Sequence, residues 1–558
     1  MPGGLLNLVS EGQQNIVLNG NPSKTFFKST YLKYTNFGMQ KFRVDYEGAK
    51  TIRLNEASSF NFKIPRYADL LMDCYLSFNL PNIWSPILPP QYENNNIPID
   101  EETINEEWSP YEFKWIENIG AQMIQKISIT CGNQLLQEYS GAYLLAMVQR
   151  DFSSEKKELF NKMIGNVSEY NDPANFGNNN GYYPNAFYNT ETSEPSIRGT
   201  TLYVPLNSWF NLKSQMAFPL VSLQYNELVI TITIRPLNEL FKIRDVQNIQ
   251  NGYPYIAPNF NSPYYQFYKF VQVPPSVSLD ISSYQDKRML WNTDIHLNCT
   301  YCFLSNDESK LFSANEQKYL IRQVHETNFY NVTGSNKIQL DSVGLIKNWL
   351  FYMQRSDVNL RNEWSNYTNW EYDYPPVNII DAPDTGGIET PSSENVGPGK
   401  NADGSDSNLK ITTKYSTENN KNILVEMGIL LDGQYRENVQ PVGVYNLIEK
   451  YIRTISNGPD GLYCYNFCMN TSPFEMQPSG ALNSSRFNLI EFEISTIVPP
   501  LDENAQTFQI CDPTTGTLIG INKPTWRIYK YNYNFVLFEE RINIVTFIGG
   551  NAGLMYAT

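Results

Sequence analysis

The stretch LVITITIR, residues 228–235, decides the class of this fold. Four apolar residues stand at every second position and four other residues lie between them: Leu228, Ile230, Ile232 and Ile234 against Val229, Thr231, Thr233 and Arg235. A period of two is that of a β-strand, in which successive side chains point to opposite faces of the sheet. The stretch therefore predicts a strand with one buried face and one wetter face.

The same alternation recurs further along the chain. In residues 295–303, apolar and aromatic residues stand at every second position: Ile295, Leu297, Cys299, Tyr301 and Phe303. The residues between them are His296, Asn298, Thr300 and Cys302. Tyrosine (38 residues) and phenylalanine (30 residues) are abundant, and both favour pleated, half-buried surfaces. We therefore predict an all-β protein.

Helical patterns are few and short. Residues 153–165, SSEKKELFNKMIG, begin with serines, carry Glu155 in the first turn and end with Gly165 at the position of a C-terminal cap, which is the usual order at helix ends. Ser313 and Glu316 have the spacing of a capping box ahead of KYLIRQV, residues 318–324. Both patterns predict short helices between strands.

Length and charge limit the possible functions. A chain of 558 residues exceeds the ~250 to 300 residues at which a single core stops growing, so two domains are expected. Lys and Arg number 42 against 57 Asp and Glu, a formal net charge of -15, which disfavours direct nucleic-acid binding. The start, MPGGLLNLVSEG, lacks a basic segment followed by a long apolar one, so no secretory signal is predicted.

The residues that usually carry catalysis are scarce. The chain has two histidines, His296 and His325, and a triad or metal site would need both to converge from distant positions. GPGKNADG, residues 397–404, has Asn401 where a phosphate loop needs Ser or Thr. Carboxylates are plentiful, but nothing in the sequence selects a pair of them. No catalytic, cofactor-binding or metal site is predicted.

The seven cysteines are an odd number spread over the chain, which does not suggest a disulfide framework and fits a reducing compartment. Cys299 and Cys302 would face opposite sides of a strand, so the pair does not predict a zinc site. Cys464 and Cys468 would lie about 13 Å apart in a strand at ~3.3 Å per residue. We predict structural thiols in β cores.

Sequons for N-glycosylation occur at Asn166, Asn298, Asn331, Asn366, Asn470 and Asn483. In an Asn-rich chain without a predicted signal peptide, chance matches outnumber modified sites. These six asparagines are therefore glycosylation candidates on the motif alone.

Residues 20–37, GNPSKTFFKSTYLKYTNF, raise a separate question, because they gather aromatic and basic side chains near the start of an acidic chain. The aromatic residues are Phe26, Phe27, Tyr31, Tyr34 and Phe37, and the lysines are Lys24, Lys28 and Lys33. Such a segment suits a nucleic-acid groove, a docking arm or a strand edge. The negative net charge favours a segment that faces a protein partner or solvent.

The same segment resembles the N-terminus of the major capsid proteins of nucleocytoplasmic large DNA viruses, the group that includes phycodnaviruses, iridoviruses and mimiviruses. Those proteins carry Gly-Asn-Pro, Thr-Phe-Phe-Lys, a Tyr and Thr-Asn-Phe at this spacing, which here are residues 20–22, 25–28, 31 and 35–37. Further landmarks follow in the family's order, at residues 115–147, 203–234, 303–324, 477–487 and 532–558. The resemblance spans nearly the whole chain.

This resemblance implies two tandem eight-stranded antiparallel jelly-roll sandwiches, a double jelly roll, with a few short helices in the connections. We expect an N-terminal arm at residues 1–24, a first jelly roll at 25–236, a junction at 237–285 and a second jelly roll at 286–558. A long polar loop at 381–422 would lie within the second jelly roll.

The implied function is that of a structural major capsid protein without enzymatic activity or cofactor. Family members form homotrimers, so three chains would give a pseudo-hexagonal capsomer that tiles an icosahedral shell. Expected partners are neighbouring capsomers, minor capsid and penton proteins and the inner viral membrane, in a virion assembled in the host cytoplasm. The candidates for an assembly arm on the inner side of the shell are Phe26, Phe27, Lys28, Tyr31 and Phe37.

A jelly-roll carbohydrate-binding protein or a cupin-like enzyme is the alternative, because jelly rolls also serve lectins and metal-dependent enzymes. Cupin chemistry usually places several histidines on one metal, and this chain has two histidines in total. Glycan binding by outer loops is compatible with a capsid role, since aromatic side chains there could stack on sugars.

Overall fold

The first half of the chain forms one β-sandwich. The computed structural model describes residues 2–48, 51–88, 109–184, 186–188, 193–245, 254–275, 281–373, 397–400, 406–411, 420–502, 508–522 and 528–556. Strands β1 to β8 of the first sandwich are Phe37–Asp45, Ser58–Lys63, Leu70–Asn79, Ile124–Cys131, Gln134–Tyr139, Thr201–Pro205, Leu228–Ile234 and His296–Leu304. Their antiparallel sheets have the orders β1-β8-β3-β6 and β2-β7-β4-β5.

The second half repeats this arrangement strand by strand. Strands β9 to β16 are Gln317–Phe329, Ser335–Leu340, Leu345–Arg355, Leu424–Leu431, Gln434–Pro441, Leu462–Asn466, Ile490–Thr496 and Tyr533–Ile548. Their sheets have the orders β9-β16-β11-β14 and β10-β15-β12-β13, so each strand has its counterpart eight numbers later. The predicted pair of eight-stranded antiparallel jelly rolls is confirmed.

Shorter elements fill the connections. The α-helices, α1 to α8, are Gly3–Val9, Ile16–Asn19, Ile119–Gln122, Gly141–Asp151, Ser154–Met163, Ser168–Asn171, Asn306–Ala314 and Glu449–Arg453, and a π-helical turn, Val444–Ile448, leads into α8. The short strands are Ile87–Leu88, Ser109–Pro110, Phe113–Trp115, Phe187–Tyr188, Ser193–Glu194, Phe218–Pro219, Phe241–Arg244, Tyr255–Ile256, Gly397–Lys400, Asp406–Ile411, Leu482–Asn483, Phe508–Cys511, Leu518–Asn522 and Asn551–Leu554. Most of the polar loop predicted at 381–422 lies outside the described residues.

Inner strand β7 shows why alternating sequences form these sheets. Leu228, Ile230, Ile232 and Ile234 are buried, and the residues between them are only partly covered. Ile230 and Ile232 lie opposite Phe62 and Phe60 of β2 in an antiparallel register. The predicted strand is confirmed, and its apolar face stabilises the first core because burying each large apolar side chain contributes about 1.5 to 3 kcal/mol.

One helix prediction is right and the other is wrong. Helix α5, Ser154–Met163, confirms the helix predicted at 153–165. The capping-box pattern at Ser313 and Glu316 precedes a strand instead, because KYLIRQV belongs to β9, which pairs with β16 along its whole length. Helix α7 lies before this pattern and ends at Ala314. Long-range strand pairing here overrides the local helix signal.

The domain limits drawn from the sequence also need correction. Strand β8, placed at the start of the second jelly roll, pairs with β1 and β3 in the first sandwich, so the first sandwich extends to Leu304. The described residues of the expected junction also belong to the first sandwich, since Phe241 and Phe267 are buried in its core. The strands begin only at Phe37, beyond the arm limit drawn at residue 24.

In the sheet β9-β16-β11-β14, the inner strands β16 and β11 are buried on both faces. On β11, Trp349, Phe351 and Met353 belong to the second core, whereas Leu350 and Tyr352 pack into the cluster of the first core. This sheet therefore joins the two sandwiches into one continuous packed body.

A hairpin followed by a helix occurs at the same place in both sandwiches. Hairpin β4–β5 leads into α4, which begins Gly141-Ala142-Tyr143, and hairpin β12–β13 leads into Gly443-Val444-Tyr445 ahead of α8. A Cβ on Gly141 would stand 1.9 Å from the carbonyl oxygen of Ala121, whereas a Cβ on Gly443 would meet nothing within 4 Å. Only the first glycine is required by close backbone approach.

This difference gives a matched test of the packing around α4. We expect Gly141→Ala to lower the free energy of unfolding by about 1 to 3 kcal/mol, as overpacked sites usually do. Gly443→Ala should change it by less than about 0.5 kcal/mol, as at most surface positions. Chemical unfolding followed by tryptophan fluorescence measures both, and equal effects of the two substitutions would contradict the close approach at Gly141.

Candidate assembly site

The contact between the two sandwiches fixes their relative position. Helix α4 of the first sandwich lies against the outer face of sheet β9-β16-β11-β14, and its Tyr143 ring lies 5.5 Å from that of Phe538 on β16. Other residues of this outer face that join the first core are Leu350, Tyr352, Leu462, Cys464 and Val536. We call this contact the seam.

A buried charge cluster lies at the centre of the seam. The Arg150 guanidinium of α4 donates to Glu540 Oε1 on β16 at 2.8 Å and to Asn348 Oδ1 on β11 at 2.9 Å. It also donates to its neighbour Asp151 at 2.7 and 3.0 Å. Arg150, Asp151, Glu540 and Asn348 are each 1% exposed or less, so these charge-assisted hydrogen bonds link the sandwiches away from water.

Further donors converge on Glu540. The hydroxyl of Tyr143 donates to Oε1 at 2.8 Å, the amide of Asn348 donates to Oε2 at 2.6 Å and Arg322 of β9 donates to Oε1 at 3.2 Å. The hydroxyl of Thr471 donates to Asp151 at 2.6 Å. The cluster therefore satisfies its carboxylates with groups from both sandwiches, which a stable buried ion cluster requires.

The cluster shifts the titration of its members. Burial acts to raise the pKa of Glu540, but Arg150, Arg322 and Lys347 outweigh burial and hold this pKa well below its usual value. Burial, followed by repulsion from Arg322, lowers the pKa of Lys347 to about 8. Glu540 is therefore a carboxylate throughout the neutral range, and it depends on its cationic neighbours to remain one.

None of these residues was identified in the sequence. Two signals point to them in retrospect. The stretch SGAYLLAMVQRD, residues 140–151, is apolar around the whole circumference of a helix, which indicates a buried helix and makes its final Arg-Asp pair unusual. Glu539, Glu540 and Arg541 interrupt an otherwise apolar strand sequence, and such charges are buried only when they are paired.

The predicted assembly-arm residues are not part of the buried core at the seam. Phe26, Phe27 and Tyr31 are almost fully exposed, and Phe27 is 98% exposed. Lys28 is exposed, and Phe37 begins β1 with its ring 6.4 Å from that of Tyr34. Helices α1 and α2 bury none of their residues. Residues 2–36 thus form an uncovered aromatic segment, and between Glu11 and Asp45 all charged residues are basic. We call residues 2–36 the arm.

The six sequon asparagines lie in different surroundings. Asn331 and Asn483 are exposed, Asn166, Asn298 and Asn470 are half-buried, and Asn366 is 4% exposed. The Asn366 amide donates to the carbonyl of Trp370 at 3.0 Å. A buried amide of this kind is inaccessible to a glycan, so Asn366 is unsuited to modification in the folded chain.

The histidines and cysteines are dispersed. His296 lies on β8 and His325 on β9, in different sandwiches. Burial, followed by the charge of Arg541, lowers the pKa of His325. Cys299 lies opposite Cys74 of β3 with sulfur atoms 3.4 Å apart. Within the described ranges, no group of three His, Cys, Asp or Glu residues suits a metal ion, and no helix there is long and apolar enough to cross a membrane.

The charge cluster predicts an acid-sensitive seam. The folded pKa of Glu540 is depressed, so its contribution to stability is present above its unfolded pKa of about 4.3 and is lost as the pH falls toward the folded value. Glu540→Gln should lower the free energy of unfolding at pH 7 by about 3 to 5 kcal/mol, because it leaves buried cations uncompensated. The difference from wild type should shrink below about pH 4.

Chemical unfolding between pH 3 and pH 7 measures both effects. Glu426→Gln on strand β12 removes an exposed carboxylate and serves as the control, with an expected change within about 0.5 kcal/mol. A constant difference between Glu540→Gln and wild type across this pH range would contradict the role given to the cluster.

Comparison with known proteins places both sandwiches in one family. The family described as "Major capsid protein N-terminus" matches residues 25–291, and the family described as "Large eukaryotic DNA virus major capsid protein" matches residues 308–550. The chain is 24% identical over 644 residues to the major capsid protein of Chrysochromulina ericina virus. It is also 24% identical over 603 residues to that of Phaeocystis pouchetii virus, and each alignment covers 100% of both chains.

Solved structures show the same fold. The Faustovirus major capsid protein matches with a TM-score of 0.59 at 12% identity, over 93% of this chain and 92% of that chain. A chain of the quasi-atomic PBCV-1 virus capsid matches with a TM-score of 0.57 at 17% identity, over 96% of this chain and 100% of that chain. Together with the two family matches, which fall on the two sandwiches in order, these likenesses identify the chain as a member of the major capsid proteins of large eukaryotic DNA viruses.

Proposed function

We propose that this capsid protein assembles as a homotrimer whose six jelly rolls form a pseudo-hexagonal capsomer of an icosahedral shell. The strand-by-strand repetition of the two sandwiches carries this proposal. A threefold ring of chains, each with two sandwiches of the same topology, presents six similar edges, and six similar edges are what hexagonal packing of tiles requires.

The seam supplies the rigidity that such a tile needs. If the two sandwiches of one chain could rotate against each other, the six edges of the trimer would not keep a fixed angle. The apolar contacts around Phe538 and the cluster around Glu540 oppose that rotation, because any shift would separate buried charges from their partners. The seam is thus a structural site, and its apolar contacts and buried charges keep the angle between the two sandwiches fixed.

The arm is the second element of the proposal. We infer that it docks on the inner side of the shell, against neighbouring capsomers, minor capsid and penton proteins or the inner membrane. Its aromatic side chains are largely exposed, with Phe26 and Phe27 at 89% and 98%, and the contacts of Phe26 with Lys24 and of Tyr34 with Phe37 are local. Its lysines suit an acidic protein surface or an anionic membrane surface.

No enzymatic activity and no cofactor form part of this proposal. The protein would act in the capsid of the virion after synthesis and assembly in the host cytoplasm. Sequence variation in the connections between strands would then leave the sandwiches intact, because connections tolerate change better than the elements that they join.

The trimer is tested by solution mass. Light scattering on the purified full chain should give a single species of three times the chain mass of 64.2 kDa. Negative-stain images of the same peak should show particles with a hexagonal outline. A monomer at all accessible concentrations would contradict the trimer and shift weight toward a binding role for the double jelly roll.

The arm is tested by truncation. Removing residues 1–24 and replacing Phe26 and Phe27 with Ser should leave the trimer and its melting temperature unchanged, because these side chains are exposed. Association of trimers into sheets or shells should fall at least tenfold. The control replaces Tyr182 and Tyr225, which are exposed elsewhere on the chain, with Ser, and it should assemble normally. Unchanged assembly of the truncated variant would refute arm docking.

A further inference from the structure

Among the residues that the structure describes, the duplicated fold leaves one pair of surfaces largely uncovered. Within the chain, strand β5 and helix α4 of the first sandwich cover the outer face of the second sandwich's sheet β9-β16-β11-β14. The corresponding surface of the second sandwich is strand β13 with the helical segment 444–453, which we call the free helix face. The corresponding sheet of the first sandwich is β1-β8-β3-β6. Phe312 of α7 packs on one end of its outer side, near Leu70 and Cys302, and we call the remainder of that side the free sheet face.

The helices show the difference most directly. When the two Gly-x-Tyr starts are superposed, Leu145 corresponds to Leu447 and Ala146 to Ile448. Leu145 and Ala146 are 3% and 1% exposed, whereas Leu447 and Ile448 are 65% and 51% exposed. Tyr451 is 91% exposed on the same segment. A single exposed apolar residue is ordinary, but a group of them on one short segment marks an interaction site.

The partners of α4 in the second sandwich explain why its residues are buried. Leu145 and Ala146 line a cavity together with Tyr367, Pro459 and Leu462, all from the second sandwich. Leu447 and Ile448 have the same apolar character and no such cover within the described residues. The second sandwich covers α4. The free helix face lacks an equivalent sandwich packed against it.

The strands next to the helices repeat the pattern. Strand β5 touches β9 at the seam, where the amide of Gln323 donates to the Leu136 carbonyl at 2.9 Å and the amide of Gln137 donates to the Arg322 carbonyl at 3.2 Å. Their counterparts are β13 and β1. Strand β13 is exposed along most of its length. The first five residues of β1, which include Met39, are all exposed.

The free sheet face has a mixed character, with Lys41 and Arg43 of β1 exposed beside apolar and aromatic side chains. On the corresponding face of the second sandwich, Leu350 and Phe538 are buried by the first sandwich. On the free sheet face, Met39 of β1 and Tyr203 of β6 are exposed and Tyr75 of β3 is half-buried. Tyrosine and methionine are side chains that interface cores favour.

We propose that the free helix face of each copy packs on the free sheet face of the next copy, repeating between chains the contact that the seam makes within one chain. The occupant of each surface is thus a second copy of this chain. Because the two faces differ, the contact is heterologous, and three such contacts in the same sense close a ring. The inference rests on the proposed trimer and names the residues that would form it.

Two variants separate the two faces. Ile448→Asp with Tyr451→Asp disables the free helix face, and Met39→Asp with Tyr203→Asp disables the free sheet face. All four side chains are exposed in the single chain, so both variants should keep the wild-type circular dichroism spectrum. Their melting temperature should fall no further than that of wild type diluted to a monomer, because only the stabilisation by partner chains is lost. Each variant alone should be a monomer by light scattering at concentrations where wild type is a trimer.

Mixing the two variants gives the decisive result. The helix-face variant retains an intact sheet face, and the sheet-face variant retains an intact helix face. An equimolar mixture can therefore form one good contact and cannot close a ring, so it should give a heterodimer of twice the 64.2 kDa chain mass. A mixture that stays monomeric would overturn the pairing of these two faces.

The controls distinguish this inference from the trimer itself. Leu518→Asp with Ile519→Asp adds the same charge to a different exposed apolar pair and should leave the trimer intact; dissociation of this control would overturn the assignment. If either face variant still forms trimers, the assignment of faces is wrong while the trimer stands. If wild type itself never trimerises, the proposed function falls as well. Should an aspartate variant unfold, the serine versions at the same positions carry the same expectations.

Discussion

The Glu540 carboxylate and the cations around it are the constraint on which the rest of the molecule depends. Charges buried in a low-dielectric seam interact strongly and tolerate little displacement. Arg150 reaches Glu540 from one sandwich, while Arg322 and Asn348 reach it from the other. The angle between two separately folded sandwiches is thereby fixed by hydrogen-bond geometry, whereas apolar contact alone would leave it freer to slide.

The seam also explains the strands whose sequences do not alternate. A sheet with one wet face reads as alternating apolar and polar residues, as β7 and β15 do. Strands β11 and β16 are buried on both faces over most of their length and contain apolar runs without alternation, WLFYM at residues 349–353 and FVLF at residues 535–538. One sheet of the second sandwich is therefore shared, in packing terms, by both halves of the chain.

Local patterns predicted what depends on local physics. The period of two in LVITITI requires only that one sheet face be buried, and the helix at Ser154–Met163 requires only its own turn residues. Strand β9 was mistaken for a helix because its pairing with β16 joins residues more than 200 positions apart, which no window of sequence displays. The predicted limits of the first sandwich were wrong for the same reason, because β8 pairs with β3, which lies far from it in the sequence. The arm residues were predicted from motifs and their docking role stays a prediction, whereas the charge cluster brings together residues that are distant in the sequence and has no motif.

The open edge of strand β1 affects the solubility of the chain before assembly. It lies at the edge of its sheet and follows an uncovered aromatic segment. An open edge is a template for any other strand, and such edges drive aggregation at high protein concentration. An abundant capsid protein with this edge open would pair with its own copies in wrong registers. Rapid burial of this edge, by assembly or by a folding helper, is therefore a condition of solubility as much as of architecture.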